Sequence, residues 1–413
     1  MEEKSAIAVG PGKPIWALGF MTGTSMDGVD AAILLTDGET VEMFGPSQEI
    51  GFTDDQSAAL RHAIAWCADH WPNNGKLREK ADLWDIPELR SADQLLVDAH
   101  VEAADALFGR FYSRPDTADP DWHHRVFDRA EKLQLIGFHG QTVLHRPEAG
   151  FTLQIGDGPL LAERAAFGTA VVSDFRSEDM AAGGEGAPLA PFYHFALAKK
   201  IGAEAPIAFL NIGGVGNVTW IDPGFSAPEG EGALIAFDTG PGNALIDDWM
   251  VQNAGLAFDQ NGSAAAEGTV RPDRLNSNSA QGYLSRTPPK SLDRNEFESV
   301  LAGMEGLSLA DGAATLTQFT VECIARSQDH MPRKPSRWLV CGGGRHNQTM
   351  MRMLHKALQA PVDPVEAVGL DGDMLEAQAF AYLAVRVLRG LPTSAPSTTG
   401  CRAPVSGGRI DQP

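Results

Sequence analysis

One supersecondary pattern occurs twice in this chain, and any fold must accommodate both copies. From Ile15 the sequence runs IWALGFMTGTSMDGVDAAILLT, two apolar stretches around a turn rich in Gly, Ser, Thr and Asp. From Ile207 it runs IAFLNIGGVGNVTWI, the same plan with a tighter glycine turn. Apolar runs joined in this way read as β-hairpins. The copies lie roughly 190 residues apart, too far for a solenoid period, and fit two similar lobes in tandem. Strand and helix signals follow each copy. In the first half Leu95–Phe108 and Gly158–Phe167 read as helices, Leu133–Phe138 as a buried strand, and Thr169–Val172 as a short strand that delivers Asp174. In the second half Ala233–Phe237 and Arg337–Val340 read as strands, and Ala244–Val251, Ala313–Arg326 and Met374–Leu388 as helices. The expected class is α/β, with one lobe over 1–200 and the other over 201–413. The Pro/Ser/Thr/Gly-rich tail, 390–413, is extended or packs back.

Composition narrows the partners. The 413 residues carry 54 acidic against 33 basic side chains, a net charge of -21. Such a field opposes nucleic acid and anionic membranes. Four scattered cysteines (Cys67, Cys323, Cys341, Cys401) offer neither a zinc spacing nor a disulfide framework, which suits a reducing cytoplasm. No signal peptide opens the chain, and no run of about eighteen apolar residues suggests a membrane span. The stretches 69–89 and 113–129, the latter holding His123 and His124, read as surface excursions.

Several segments carry possible chemistry. Gly23–Asp30 (GTSMDGVD) combines glycines, the hydroxyls of Thr24 and Ser25, and Asp27, which suits a metal held directly or through water. Gly213–Asn217 (GGVGN), Asp238–Asn243 (DTGPGN) and Gly342–Asn347 (GGGRHN) are further Gly/Asn turns at strand ends, where small residues let backbone approach a phosphate or an adenosine. Taken singly, each is more often a plain turn; matching places in two lobes make them a set. GxxxxGK[ST] and a helix-opening GxGxxG are both missing, so P-loop and Rossmann readings fail. Asp174, between a strand and an Ala/Gly/Pro loop, suits a general base, and Arg176 suits substrate orientation. Glu376 sits where a helix dipole favours a carboxylate. In GFHGQTVLH, His139 and Gln141 suit ligand hydrogen bonds, and His145 a structural role; the six-residue histidine spacing is not that of a helical metal site.

Together these segments resemble one family, the anhydro-N-acetylmuramic acid kinases, within the superfamily of actin, Hsp70 chaperones and sugar kinases. The similar stretches are GFMTGTSMDGVDAAIL (19–34), GFHGQTVLHRP (137–147), LQIGDGPLLAE (153–163), VVSDFRSEDMAAGGEGAPLAPFYH (171–194), LNIGGVGNVTWI (210–221), FDTGPGNALIDDW (237–249), PPKSLDRNEF (288–297), CGGGRHN (341–347) and EAQAFAYLAVRVL (376–388). The resemblance implies a two-lobed actin-like ATPase (ribonuclease H-like) fold with duplicated lobes and an interlobe cleft. It implies opening of the 1,6-anhydro ring of anhydro-N-acetylmuramic acid and phosphorylation of O6 by Mg-ATP, in peptidoglycan recycling, in a cytoplasmic homodimer. Asp174 becomes the base that deprotonates water, and Glu376 helps position that water. ATP falls to Gly23, Thr24, Ser25, Met26, Asp27, Gly28, Val29 and Asp30, then Gly214, Asn217, Asp238, Gly240, Gly242, Asn243, Gly343 and Gly344. The sugar falls to His139, Gln141 and Arg176, and Mg2+ to Asp27. PPKSLDRNEF departs from the family in its Leu-Asp pair, which bears on Ser291 and Arg294. Fold resemblance alone leaves open a kinase of another small polyol or acid in the same superfamily, or an ATP-gated binding module like actin or a chaperone.

Overall fold

The structure is a computed structural model describing residues 12–23, 26–70, 86–112, 133–165, 168–275, 282–292 and 297–413. In chain order the strands are β1 (Ile15–Met21), β2 (Gly28–Thr36), β3 (Val41–Gly51), β4 (Leu135–Phe138), β5 (Gln141–Arg146), β6 (Phe151–Ile155) and β7 (Ala170–Ser173). Then come β8 (Ile207–Ile212), β9 (Val215–Ile221), β10 (Leu234–Pro241), β11 (Trp338–Cys341), β12 (Val362–Pro364) and β13 (Arg409–Asp411).

The chain divides into two compact units, Met1–Lys200 with Met374–Pro413, and Ile201–Asp373. The first holds a six-stranded sheet in the order β13-β7-β4-β1-β2-β3, and the two-stranded ladder β5-β6. β1, β2 and β3 are antiparallel, whereas β4 and β7 join in parallel. Period-two alternation assigns the faces. Trp16, Leu18 and Phe20 join a core with Leu60, Leu96 and Phe111, from the helices Asp54–His70 and Pro87–Tyr112. Gly19 and Gly137 face the other way, side by side in register. There the helix Leu375–Leu388 lies directly on the strands. A Cβ at Gly19 would sit 1.9 Å from the Ala377 carbonyl oxygen, and one at Gly137 would sit 2.1 Å from that of Phe380. Two bare strand positions thus form a saddle for one helix.

The second unit repeats the plan. Its sheet runs β10-β9-β8-β11-β12, with β8, β9 and β10 antiparallel and β11 and β12 joined in parallel. Three antiparallel strands followed by two parallel ones is the order of β3-β2-β1-β4-β7. The duplication expected from the two hairpins is therefore a duplication of whole sheets, each in the ribonuclease H-like strand order that the resemblance implies. The core of this unit packs the helices Ala244–Ala254, Leu309–Ser327 and Gln348–Leu358 on β8, β9 and β11.

The expected division after residue 200 needs one correction. Met374–Pro413 belongs with the first unit, because the glycine saddle seats its helix and β13 extends the sheet beyond β7. The excursion at 69–89 shrinks at both ends: Asp69 and His70 finish one helix, and Pro87–Leu89 start the next. Residues 71–85 and the 113–129 stretch, with His123 and His124, lie outside the described residues. Among the described residues, no helix is long and apolar enough to cross a membrane.

Candidate active site

In the first unit, β7 is held between β4 and β13, and the chain leaves it at Asp174. Asp174 adopts φ 55°, the left-handed region that a side chain normally avoids. Ser177 Oγ donates to its Oδ1 at 2.6 Å. Phe175 next turns inward and packs 5.2 Å from the ring of Phe380, on the saddle helix. Arg176 points back toward His139, between β4 and β5. Its Nη1 donates to the Gly186 carbonyl at 2.9 Å, while Nε and Nη2 converge on His139 Nε2 at 3.1 and 2.8 Å. His139 Nδ1 lies 2.7 Å from the Gly140 carbonyl oxygen. Nδ1 therefore carries the proton and Nε2 is the acceptor. Gln141, on β5, is 1% exposed; its Nε2 donates to the Thr142 carbonyl, and its Oε1 has no partner among the described residues. Such an orphaned acceptor suits a ligand donor. Glu376 stands in the first turn of the saddle helix.

The electrostatics follow from crowding around Arg176. Burial, then the nearby guanidinium, holds the His139 imidazole well below its usual range, so it stays neutral. The same two causes bring His145 to about 4. Burial lowers Arg176 to about 10, against the pull of Glu376 and Asp179. The surrounding protein raises the Glu376 carboxyl and Arg176 lowers it; the residue keeps an exposed surface, so solvent tempers that shift. A guanidinium faced by a neutral imidazole and a raised carboxyl is equipped to orient a polar ligand.

Of the 23–30 turn, Thr24 and Ser25 lie outside the described residues. Met26 takes φ 54°, and its carbonyl accepts from Ser57 Oγ at 2.9 Å. The exposed Asp27 ends the turn, and Gly28, Val29 and Asp30 already belong to β2. Val29 is buried in the core, which leaves only its backbone for a ligand.

In the second unit three glycine turns converge on Ile212. The Asn243 N–H donates to the Gly213 carbonyl at 2.7 Å, and Gly242 N–H to that of Gly214 at 2.9 Å. Asn243 Nδ2 donates to the Ile212 carbonyl at 3.1 Å. A Cβ at Gly344 would meet the Ile212 side chain at 2.4 Å. Gly343 opens the short turn Gly343–His346 beside it, and Arg345 braces that turn through Glu366 at 2.9 Å and Asp373 at 2.7 Å. Gly214, Gly242, Asn243, Gly343 and Gly344 thus gather at one end of the sheet. Asn217 and Asp238 do not lie in turns: they face each other across the β9–β10 ladder. Gly240, at φ 148°, is bare because Cys323 of the helix Leu309–Ser327 fills the space where a Cβ would go.

Sequence reasoning missed Ser177, although a hydroxyl three residues after an aspartate is a familiar local hydrogen-bonding spacing. Among the described residues, no group of three or more His, Cys, Asp or Glu side chains is placed to hold a metal. Mg2+ rarely needs one; it is commonly held by one or two carboxylates, waters and substrate phosphates. The exposed Asp27 carboxylate fits that sparse donor set.

The family model described as anhydro-N-acetylmuramic acid kinase matches residues 16–412. A protein of that name from Ruegeria sp. is 48% identical over 407 residues, covering 98% of this chain and 97% of the relative. Another, from Rhodospirillum rubrum, is 48% identical over 394 residues, with 95% and 93% covered. Among solved structures, an activator of 2-hydroxyisocaproyl-CoA dehydratase from Clostridium difficile, with bound ADPNP, aligns at 10% identity and TM-score 0.43 over 91% of this chain and 96% of its own. That last likeness is too distant to carry an argument.

Proposed function

The chain belongs to the anhydro-N-acetylmuramic acid kinase family, and from that premise we propose that it opens the 1,6-anhydro ring of anhydro-N-acetylmuramic acid with water and phosphorylates O6. The products are N-acetylmuramic acid 6-phosphate and ADP. The observation that carries the residue assignment is the grouping of Asp174, Arg176, His139 and Glu376 around the end of β7 and the start of the saddle helix.

In this reading Asp174 accepts a proton from water, positioned with the help of Glu376. The water oxygen bonds to C1 as the C1–O6 bond breaks, and O6 then displaces ADP from the γ-phosphorus. The proton leaves Asp174 for solvent. Arg176 and the Oε1 of Gln141 hold the sugar, with His139 locked in one tautomer beside them. Backbone donors of the glycine cluster around Ile212 suit ATP, since fixed backbone geometry does most of the work of phosphoryl transfer; the 23–30 turn keeps the phosphate role that the resemblance gives it. Asp27 would hold Mg2+, which neutralises phosphate charge. Peptidoglycan recycling in the cytoplasm, as a homodimer without nucleic-acid or membrane partners, completes the reading; all four cysteines are buried free thiols, as a reducing compartment allows.

The test is turnover with Mg-ATP in heavy-oxygen water, read by mass spectrometry. The expected product is the ring-opened 6-phosphate labelled at C1. An unlabelled product, or equal turnover of ordinary N-acetylmuramic acid, overturns water attack. Asp174→Asn should lose about 10²-fold or more in kcat while still binding ATP; retained turnover removes Asp174 from the role.

A further inference from the structure

Asp179 has no part in the chemistry above, yet it is 1% exposed and its carboxylate gathers three donors. Oδ1 accepts from the hydroxyls of Ser394 at 2.5 Å and Thr399 at 2.6 Å; Oδ2 accepts from the Gly186 N–H at 2.8 Å. Gly186 is also the residue whose carbonyl accepts from Arg176. One peptide residue is therefore gripped on its N–H by Asp179 and on its C=O by the guanidinium, whose other nitrogens reach His139.

The surrounding backbone leaves this arrangement little freedom. Gly184 must be bare, because a Cβ there would lie 2.2 Å from Asp179 Oδ2. The Glu185 N–H donates to the Thr399 carbonyl at 2.8 Å, and Arg402 N–H to that of Ala182 at 3.1 Å. The donors Ser394 and Thr399 sit in a segment tied to itself, with Thr393 N–H donating to Val405 and Gly407 N–H to Thr393 Oγ1 at 2.9 Å. β13 then pairs with β7, the strand that ends at Asp174.

We propose that Asp179 is a positioning residue of the sugar pocket: it transmits the placement of the Thr393–Gly407 segment, through Gly186, to the Arg176 guanidinium and so to His139. This rests on the reading of Arg176 and His139 as sugar-pocket residues. A carboxylate suits the task because a buried anion leaves its donors few alternatives, and losing any one of them is costly. The C-terminal segment is then a working part of the substrate site.

The experiment uses the full chain with 15N-labelled histidine, the His139 signals being identified by their loss in His139→Gln. In Asp179→Asn the His139 Nε2 signal should move to the position it takes in Arg176→Lys. KM for the anhydro sugar should rise about tenfold, the scale of one hydrogen bond to a charged group, while KM for ATP stays within about twofold. Should Asp179→Asn fail to fold, Thr399→Val against Thr399→Ser serves: Val removes the donor at nearly constant shape and should reproduce both changes, and Ser should restore both. A His139 signal that stays in its wild-type position overturns the proposal, and so does a displaced signal with an unchanged sugar KM. If the wild type turns over no anhydro sugar, the functional reading fails, while the His139 signal still decides whether Asp179 positions Arg176.

Discussion

Asp174 sits at φ 55° where the chain leaves β7, a conformation that costs on the order of 1 kcal/mol for a residue with a side chain. The hydroxyl of Ser177, 2.6 Å from its carboxylate, holds the side chain there. Ser177→Ala should therefore lower kcat about tenfold, the worth of one hydrogen bond to an ionised group, with KM for ATP unchanged; steady-state kinetics checks this, and an unaltered kcat makes the hydroxyl incidental. Arg176→Lys keeps the charge but cannot fork onto His139 and Gly186 together. It should raise KM for the sugar about tenfold, read in the same assay. The aspartate was legible in the sequence because a β-branched strand runs straight into it. The orphaned Gln141 oxygen and the tautomer of His139 were not, since both depend on partners brought in by other strands.

At the scale of elements, the saddle of Gly19 and Gly137 places the helix that carries Glu376. Gly19→Ala puts a methyl group 1.9 Å from a backbone oxygen that cannot rotate away. The expected cost is about 3 kcal/mol in urea unfolding, with kcat falling as well because Glu376 precedes Ala377, the residue struck. Full stability would show that the helix can lift off the sheet. The hairpins and most helices could be read from periodicity, down to Leu309–Ser327, where Ala313–Arg326 was expected. The meaning of the two glycines could not, because a gap in an apolar alternation does not say which distant segment fills it. The Gly/Asn turns were likewise legible as a set, but the assignment of Asn217 and Asp238 to turns failed because β9 and β10 extend through them.

For the molecule as a whole, buried imidazoles set the response to acid. Burial lowers His100 and His145 to about 4 and His194 to about 3, and holds His139 well below its usual range. Each takes up a proton in the unfolded chain near its ordinary pKa of about 6.5, but in the folded protein only at lower pH. Stability tied to these four is present above about pH 6.5 and is lost as pH falls toward their folded values. Two carboxyls act in the opposite sense: burial raises Asp93 to about 7, and the surrounding protein raises the Glu376 carboxyl, tempered by solvent. With four groups against two, acid wins. Urea midpoints should be lower at about pH 5 than at about pH 7, and an equal or higher midpoint at pH 5 contradicts this balance. The split of the first unit around the second has one more outcome, during synthesis on the ribosome. Residues Ile201–Asp373 form a continuous stretch and can fold as soon as they emerge. The earlier sheet must wait, with its Gly19–Gly137 surface uncovered and β7 still an edge, until Leu375–Asp411 has been made. The nascent chain thus completes its second half before its first.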